Sequence, residues 1–138
     1  MKLLLAGDIG GTKTRLALVG VNGTRVVIRR ELSYASQDYA TFEMLLGEFL
    51  SSGESVADAA FGIAGPVLGD VAHATNLPWR IDAAALRQRF GFARCHLLND
   101  LEATAYGLPA LGEADLLTLQ AGSPGAQGNA AVIAAGPG

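Results

Sequence analysis

Residues 3–20 read LLLAGDIGGTKTRLALVG, and this opening limits the fold more than any other part of the chain. An apolar run stops at Asp8, crosses Gly10 and Gly11, passes Thr12, Lys13 and Thr14, and becomes apolar again at Leu16. Short apolar runs bounded by glycine are the pattern of buried strands. The pair Asn22-Gly23 then marks a tight hairpin, because both residues tolerate the positive φ that such a turn requires. Beyond it residues 25–33 alternate roughly, with Val26, Ile28 and Arg30 set against Val27 and Arg29. Three consecutive antiparallel strands, over 2–9, 13–20 and 25–33, therefore open the chain.

Helices and strands alternate after that. Tyr39, Phe42, Leu45, Leu46 and Phe49 recur at helical spacing, with Asp38 as N-cap and Ser51-Ser52-Gly53 as the stop. Residues 57–64 form a strand halted by Gly65-Pro66, and Leu68-Gly69-Asp70 turns a small hairpin that reaches about His73. Thr75 to Trp79 is a loop containing Pro78. Asp82 caps a helix that buries Ala83, Leu86 and Phe90 and stops at Gly91. A strand over 94–98 hands over at Asn99-Asp100 to a helix over 101–108. A short strand over 115–119, a loop over 120–129 and an apolar strand from Ala130 to Ala135 complete the reading. The order β-β-β-α-β-α-β-α-β implies an α/β domain with a mixed sheet and no internal repeat. Its last strand runs into a glycine-rich turn, which reads as the first half of a larger unit.

Composition excludes several function classes. At 138 residues the chain fits one domain with a real core, and a net charge of −3 offers no basic field for nucleic acid or an anionic membrane. Cys95 is the only cysteine, so neither an internal disulfide nor a CxxC zinc site can form. No segment approaches the roughly 20 apolar residues that span a bilayer. A soluble, cytoplasmic protein is expected. His73 and His96 lie in strand-like sequence and read as packing residues; Cys95 and His96 point to opposite faces, a poor metal pair.

Three constellations carry chemistry. In the opening stretch a Walker A loop fails on register, since Thr12 and not glycine precedes Lys13, and on context, since a strand follows. The dinucleotide pattern G-x-G-x-x-G fails too. What remains is Asp-x-Gly-Gly-Thr between two strands, a hairpin whose backbone N–H groups and Thr12 hydroxyl can approach phosphate. Asp8 would repel bare phosphate, so its place there makes sense if it faces hydrated Mg²⁺. A plain Gly-Gly turn with an incidental Asp fits the same five residues. In HLLNDLEATAYGL, residues 96–108, Asn99 and Asp100 sit where a strand meets a helix, the usual place for active-site groups in α/β folds. Asp100 there is either a general base or a helix N-cap. In GIAGPVLGD and ATNLPW, Gly65-Pro66 fixes a turn, while Thr75, Asn76 and Trp79 gather groups that suit a sugar or an ordinary surface loop.

Taken jointly, GDIGGTKTRLAL, GIAGPVLGD followed by TNLPW, and LLNDLEATAYGLPAL resemble the bacterial glucokinases of the hexokinase and actin-like superfold. The likeness runs from Leu3 to about Gly136. It implies a ribonuclease H-like (actin-like ATPase) α/β domain, a mixed sheet with antiparallel N-terminal strands and flanking helices. It implies that residues 1–138 are the small N-terminal domain of a two-domain kinase that phosphorylates the glucose 6-hydroxyl from ATP, the first step of glycolysis. Gly7, Asp8, Ile9, Gly10, Gly11 and Thr12 would hold ATP phosphates, with Asp8 reaching Mg²⁺ through water. Asp100 would be the catalytic base, Asn76 and Asn99 sugar-hydroxyl ligands, and Gly65-Pro66 would shape that side of the cleft. The family's second phosphate loop falls at Gly136-Pro137-Gly138, where Pro137 lacks an N–H, and its second domain is not in this sequence. The 138 residues alone are therefore expected to be inactive, and a homodimer is possible for the intact enzyme. A kinase of another hexose, a phosphohydrolase on the same fold, and a non-catalytic sugar-sensing half domain are the alternatives.

Overall fold

The computed structural model describes residues 1–135; the reading of Gly136-Pro137-Gly138 as the start of a second loop lies outside them. Strands β1 (Lys2–Ile9), β2 (Lys13–Asn22) and β3 (Arg25–Ala35) form the expected antiparallel meander. Helix α1 (Phe42–Phe49) leads to β4 (Asp58–Ile63), which pairs parallel with β1. Then come β5 (Val67–Leu68), β6 (Val71–His73), β7 (Arg80–Asp82) and helix α2 (Ala83–Phe90). Strand β8 (Arg94–Asn99) pairs parallel with β4 and runs into helix α3 (Asp100–Gly107). The result is a mixed five-stranded sheet, order β3-β2-β1-β4-β8, and a separate antiparallel sheet, order β5-β6-β7.

Alternation along the strands sorts the large sheet into two faces. Leu5, Ile9, Leu16, Leu18, Phe61, Ile63, Cys95 and Leu97 share the inner face and are buried with Phe42, Leu45, Leu46 and Phe49 of α1, Leu86 of α2 and Ile81 of β7. Each such side chain contributes roughly 1.5–3 kcal/mol by leaving water. Phe42 meets Phe61 edge-on with ring centroids 5.1 Å apart, which locks α1 onto β4. On the opposite face α3 packs over β4. A Cβ at Gly62 would sit 2.9 Å from Ala103 Cβ, so the helix reaches the sheet only because position 62 is bare.

Several local expectations are corrected. The N-cap of α1 is Thr41, whose hydroxyl accepts the Met44 N–H at 3.2 Å. Asp38 instead closes a single 3-10 turn, Ser36–Asp38, and Tyr39 is extended, its carbonyl taken by the Trp79 indole N–H at 3.0 Å. The cap of α3 is Asn99, which displaces Asp100 into the first turn. A bulge in β3, where Leu18 pairs with Arg30 but Val19 with Ile28, sends Arg30 to the inner face and leaves Val26 and Ile28 exposed on the other. Strand β7 lies between the expected 75–79 loop and the Asp82 cap, where no element is expected; Ile81 finds its partner in Ala72, which no local pattern announces. Neither 115–119 nor 130–135 forms a strand: Leu116, Leu117, Leu119 and Ile133 are exposed, and neither run pairs with the open edge of the sheet at β8. His73 and His96 are exposed rather than packed.

Candidate active site

Three parallel strands, β1, β4 and β8, end side by side, with Ile9, Ile63 and Asn99 in register. Their carboxyl ends open into a cleft of about 560 Å³ lined by Gly7, Asp8, Gly62, Asp100 and Thr104 among others. Ligands in open α/β sheets bind at such strand ends.

Residues 10–12 form the turn between β1 and β2, two residues beyond Asp8, and do not themselves line the cleft. The Gly10 N–H closes it on the Lys13 carbonyl at 3.0 Å. The N–H groups of Gly11 and Thr12 make no hydrogen bond among the described residues. Asp8 is exposed, and its cross-strand neighbour Arg15 is engaged by Glu31 at 3.4 Å, so no cation of the described residues neutralises the Asp8 carboxylate. The turn has a support that sequence reasoning missed: Ser36, fully buried after β3, and Thr14, fully buried at the start of β2. The Ser36 N–H donates to the Thr12 carbonyl at 3.0 Å and its hydroxyl to the Gly10 carbonyl at 2.7 Å. No spacing rule links residues 26 positions apart, and a lone serine at a strand end carries no signal of its own.

The β4–β5 connection and the loop before β7 stand beside that turn and the end of β8 without lining the cleft. Gly65 has φ 157°, and a Cβ there would lie 2.0 Å from the His73 carbonyl oxygen, so only glycine fits. The Gly65 carbonyl accepts the Asn99 side-chain N–H at 3.2 Å, and the Pro66 carbonyl accepts the His73 N–H at 3.2 Å. Asn76 adopts the left-handed conformation, φ 62°, which asparagine tolerates better than most residues. Its loop abuts the turn: a Cβ on Gly11 would come within 2.9 Å of the Thr75 carbonyl oxygen and 3.4 Å of Asn76 Cβ. Trp79, by contrast, is core, 3% exposed and 5.9 Å from Phe42, and cannot offer a ring face to a sugar.

Asn99 and Asp100 divide the work where β8 meets α3, and of the two only Asp100 lines the cleft. Asn99 caps α3 through its oxygen, which accepts the Leu101 N–H at 3.1 Å, while its amide nitrogen pins Gly65. Asp100 is exposed; one carboxylate oxygen also accepts the Leu101 N–H, at 2.9 Å, and the other makes no hydrogen bond among the described residues. A carboxylate with an open oxygen can accept a proton, and an exposed, unpaired one such as Asp8 can hold a hydrated divalent cation. Hard cations of the Mg²⁺ kind take few protein ligands, and no cluster of three His, Cys, Asp or Glu side chains able to hold a metal occurs among the described residues. The donor set at Asp8 fits that mode.

The mixed five-stranded sheet is that of the actin-like sugar-kinase fold, and solved structures share that fold. Glucokinase from an Antarctic psychrotroph aligns with a TM-score of 0.81 at 28% identity, over 89% of this chain and 40% of that one. Glucokinase from Balamuthia mandrillaris, solved in complex with glucose, aligns with a TM-score of 0.58 at 28% identity, over 78% of this chain and 32% of that one.

The sequence model of the glucokinase family matches residues 5–138, and the chain belongs to that family. A glucokinase of Nostoc sp. is 42% identical over 100% of this chain and 42% of its own length. One of Synechocystis sp. is 39% identical over 97% of this chain and 41% of its own. The chain thus spans about two fifths of the length of the curated relatives it matches. Among the described residues no helix is long and apolar enough to cross a membrane.

Proposed function

We propose that the polypeptide carrying this region transfers the γ-phosphoryl group of ATP to the 6-hydroxyl of glucose, and that residues 1–138 are the small domain of a two-domain kinase. The observation that carries the reading is the opening of Asp8 and Asp100 on one cleft, from the ends of strands in one sheet. In this reading the open oxygen of Asp100 takes the proton of the sugar hydroxyl as its oxygen attacks the γ-phosphorus. The bond to the bridging oxygen breaks, ADP leaves, and the proton later passes from Asp100 to water. Gly11 and Thr12 present backbone N–H groups and a hydroxyl to phosphate oxygens, and Asn76 and the second N–H of Asn99 hold sugar hydroxyls. The Gly65-Pro66 turn keeps Asn99 in place through the Gly65 carbonyl. Asp8 would hold Mg²⁺ through its water shell, and the ion would supply neutralisation of phosphate charge. Most of the acceleration then comes from positioning and electrostatics, which is why a second wall that excludes water is needed.

The test is ADP formation by the full polypeptide with Mg-ATP, measured with and without glucose and across a panel of hexoses. Glucose-dependent ADP release matched by sugar 6-phosphate is expected, with no turnover above background from residues 1–138 alone. ADP release that ignores sugar would show a hydrolase, and a stronger response to another hexose would reassign the substrate.

A further inference from the structure

We propose that Ser36 is a positioning residue for the phosphate turn, acting by fixing one peptide plane. The inference rests on the kinase reading above. Ser36 heads the 3-10 turn after β3 and is completely buried, as is Thr14. Three hydrogen bonds converge on it: its N–H donates to the Thr12 carbonyl at 3.0 Å, its hydroxyl to the Gly10 carbonyl at 2.7 Å, and Thr14 Oγ1 lies 2.8 Å from its Oγ. A hydroxyl has one proton and a carbonyl has none. The Ser36 proton therefore lies on the Gly10 carbonyl, and Thr14 donates to Ser36.

The Gly10 carbonyl belongs to the Gly10–Gly11 peptide. In a trans peptide the carbonyl and the following N–H point in opposite directions. Holding the Gly10 carbonyl on Ser36 thus aims the Gly11 N–H away from Ser36, and that N–H has no partner among the described residues. This peptide is flanked by two glycines and has no Cβ to restrain it, so it is the easiest in the turn to flip. A flip would present a carbonyl oxygen, not an N–H, to an anionic phosphate. Ser36 holds the donor orientation, and the buried hydroxyl of Thr14 keeps the Ser36 proton committed to Gly10.

The experiment compares Ser36→Ala, Ser36→Cys and Ser36→Thr in the full polypeptide, with KM for Mg-ATP and for sugar measured separately. Loss of one such hydrogen bond is expected to raise KM for Mg-ATP about tenfold in Ser36→Ala while KM for sugar stays within about twofold. Ser36→Cys fills the same buried space with a weak donor and is expected to fall between Ala and the parent. Ser36→Thr keeps the hydroxyl and should restore KM for Mg-ATP. Should Ser36→Ala not fold, Ser36→Cys gives the same split. A merely structural role would lower the melting temperature and the active fraction with both KM values unchanged, and that result overturns the proposal. An unsubstituted enzyme that phosphorylates no sugar would remove the kinase reading, and the proposal with it.

Discussion

The single amide of Asn99 ties helix α3 to the β4–β5 connection, since its oxygen caps α3 and its nitrogen holds the Gly65 carbonyl. Asn99→Ala removes both bonds. We expect it to cost about 2 kcal/mol in urea unfolding, the sum of a lost cap and a carbonyl left without its donor. Asn99→Asp keeps the cap oxygen and should cost less; equal stability of the Ala variant and the parent would contradict the assignment. At this scale the sequence was legible where chemistry is local. The Asp82 cap and the Gly91 stop stand where the pattern put them, because each acts on residues within one turn. The hairpin instead turns one residue later than Asn22-Gly23 marks it, on Gly23 and Thr24, with Asn22 of β2 still paired to Arg25. Ser36 and the exchange of roles between Asn99 and Asp100 were not legible. The first depends on contacts across 22 and 26 positions, and the second on two neighbours that both cap well.

Strands β1, β4 and β8 are tied at the end opposite the cleft by one carboxylate. Asp58, at the start of β4, accepts from Arg94 at 2.7 and 2.8 Å and also pairs with Lys2, so the first residues of all three strands meet there. The hydrogen bonds from Arg94, then that from Lys2, hold the Asp58 carboxyl well below the usual carboxylate range. A depressed pKa means that the folded state favours the ionised form. The stabilisation is therefore complete above the unfolded carboxyl pKa of about 4 and is lost as pH falls below it. We expect the urea midpoint of the parent chain to fall more than that of Asp58→Asn between about pH 7 and about pH 3. Parallel decline of the two proteins would show that the triad contributes nothing. Elements were legible where periodicity and burial agree, as in β1, β2, β4 and α2. They were not where pairing decides: β7 exists because β6 offers an edge, and the apolar run over 130–135 pairs with no strand although β8 leaves the edge of the sheet open.

For the whole molecule, the meander followed by parallel strands brings residues from 8, 62 and 100 to one cleft, though they are spread over most of the chain. That convergence could be inferred only from three motifs read together, since each alone fitted a bland turn, cap or loop. The composition of its loop suits the Trp79 ring to a sugar or to an ordinary surface loop, whereas its indole is enclosed beside Phe42, a matter of packing that no local pattern encodes. The central claim is that Asp100 moves a proton and that Asn99, not Asp100, caps the helix. Asp100→Ala in the full polypeptide tests both parts at once, with kcat, glucose affinity and stability measured on the same preparation. Loss of a general base predicts a kcat lower by about a hundredfold to ten-thousandfold. Glucose affinity should stay within about threefold, and stability within about 0.5 kcal/mol, as for a surface change away from a cap. A variant that retains kcat within about threefold while losing about 1 kcal/mol of stability would be a cap after all and would contradict the account.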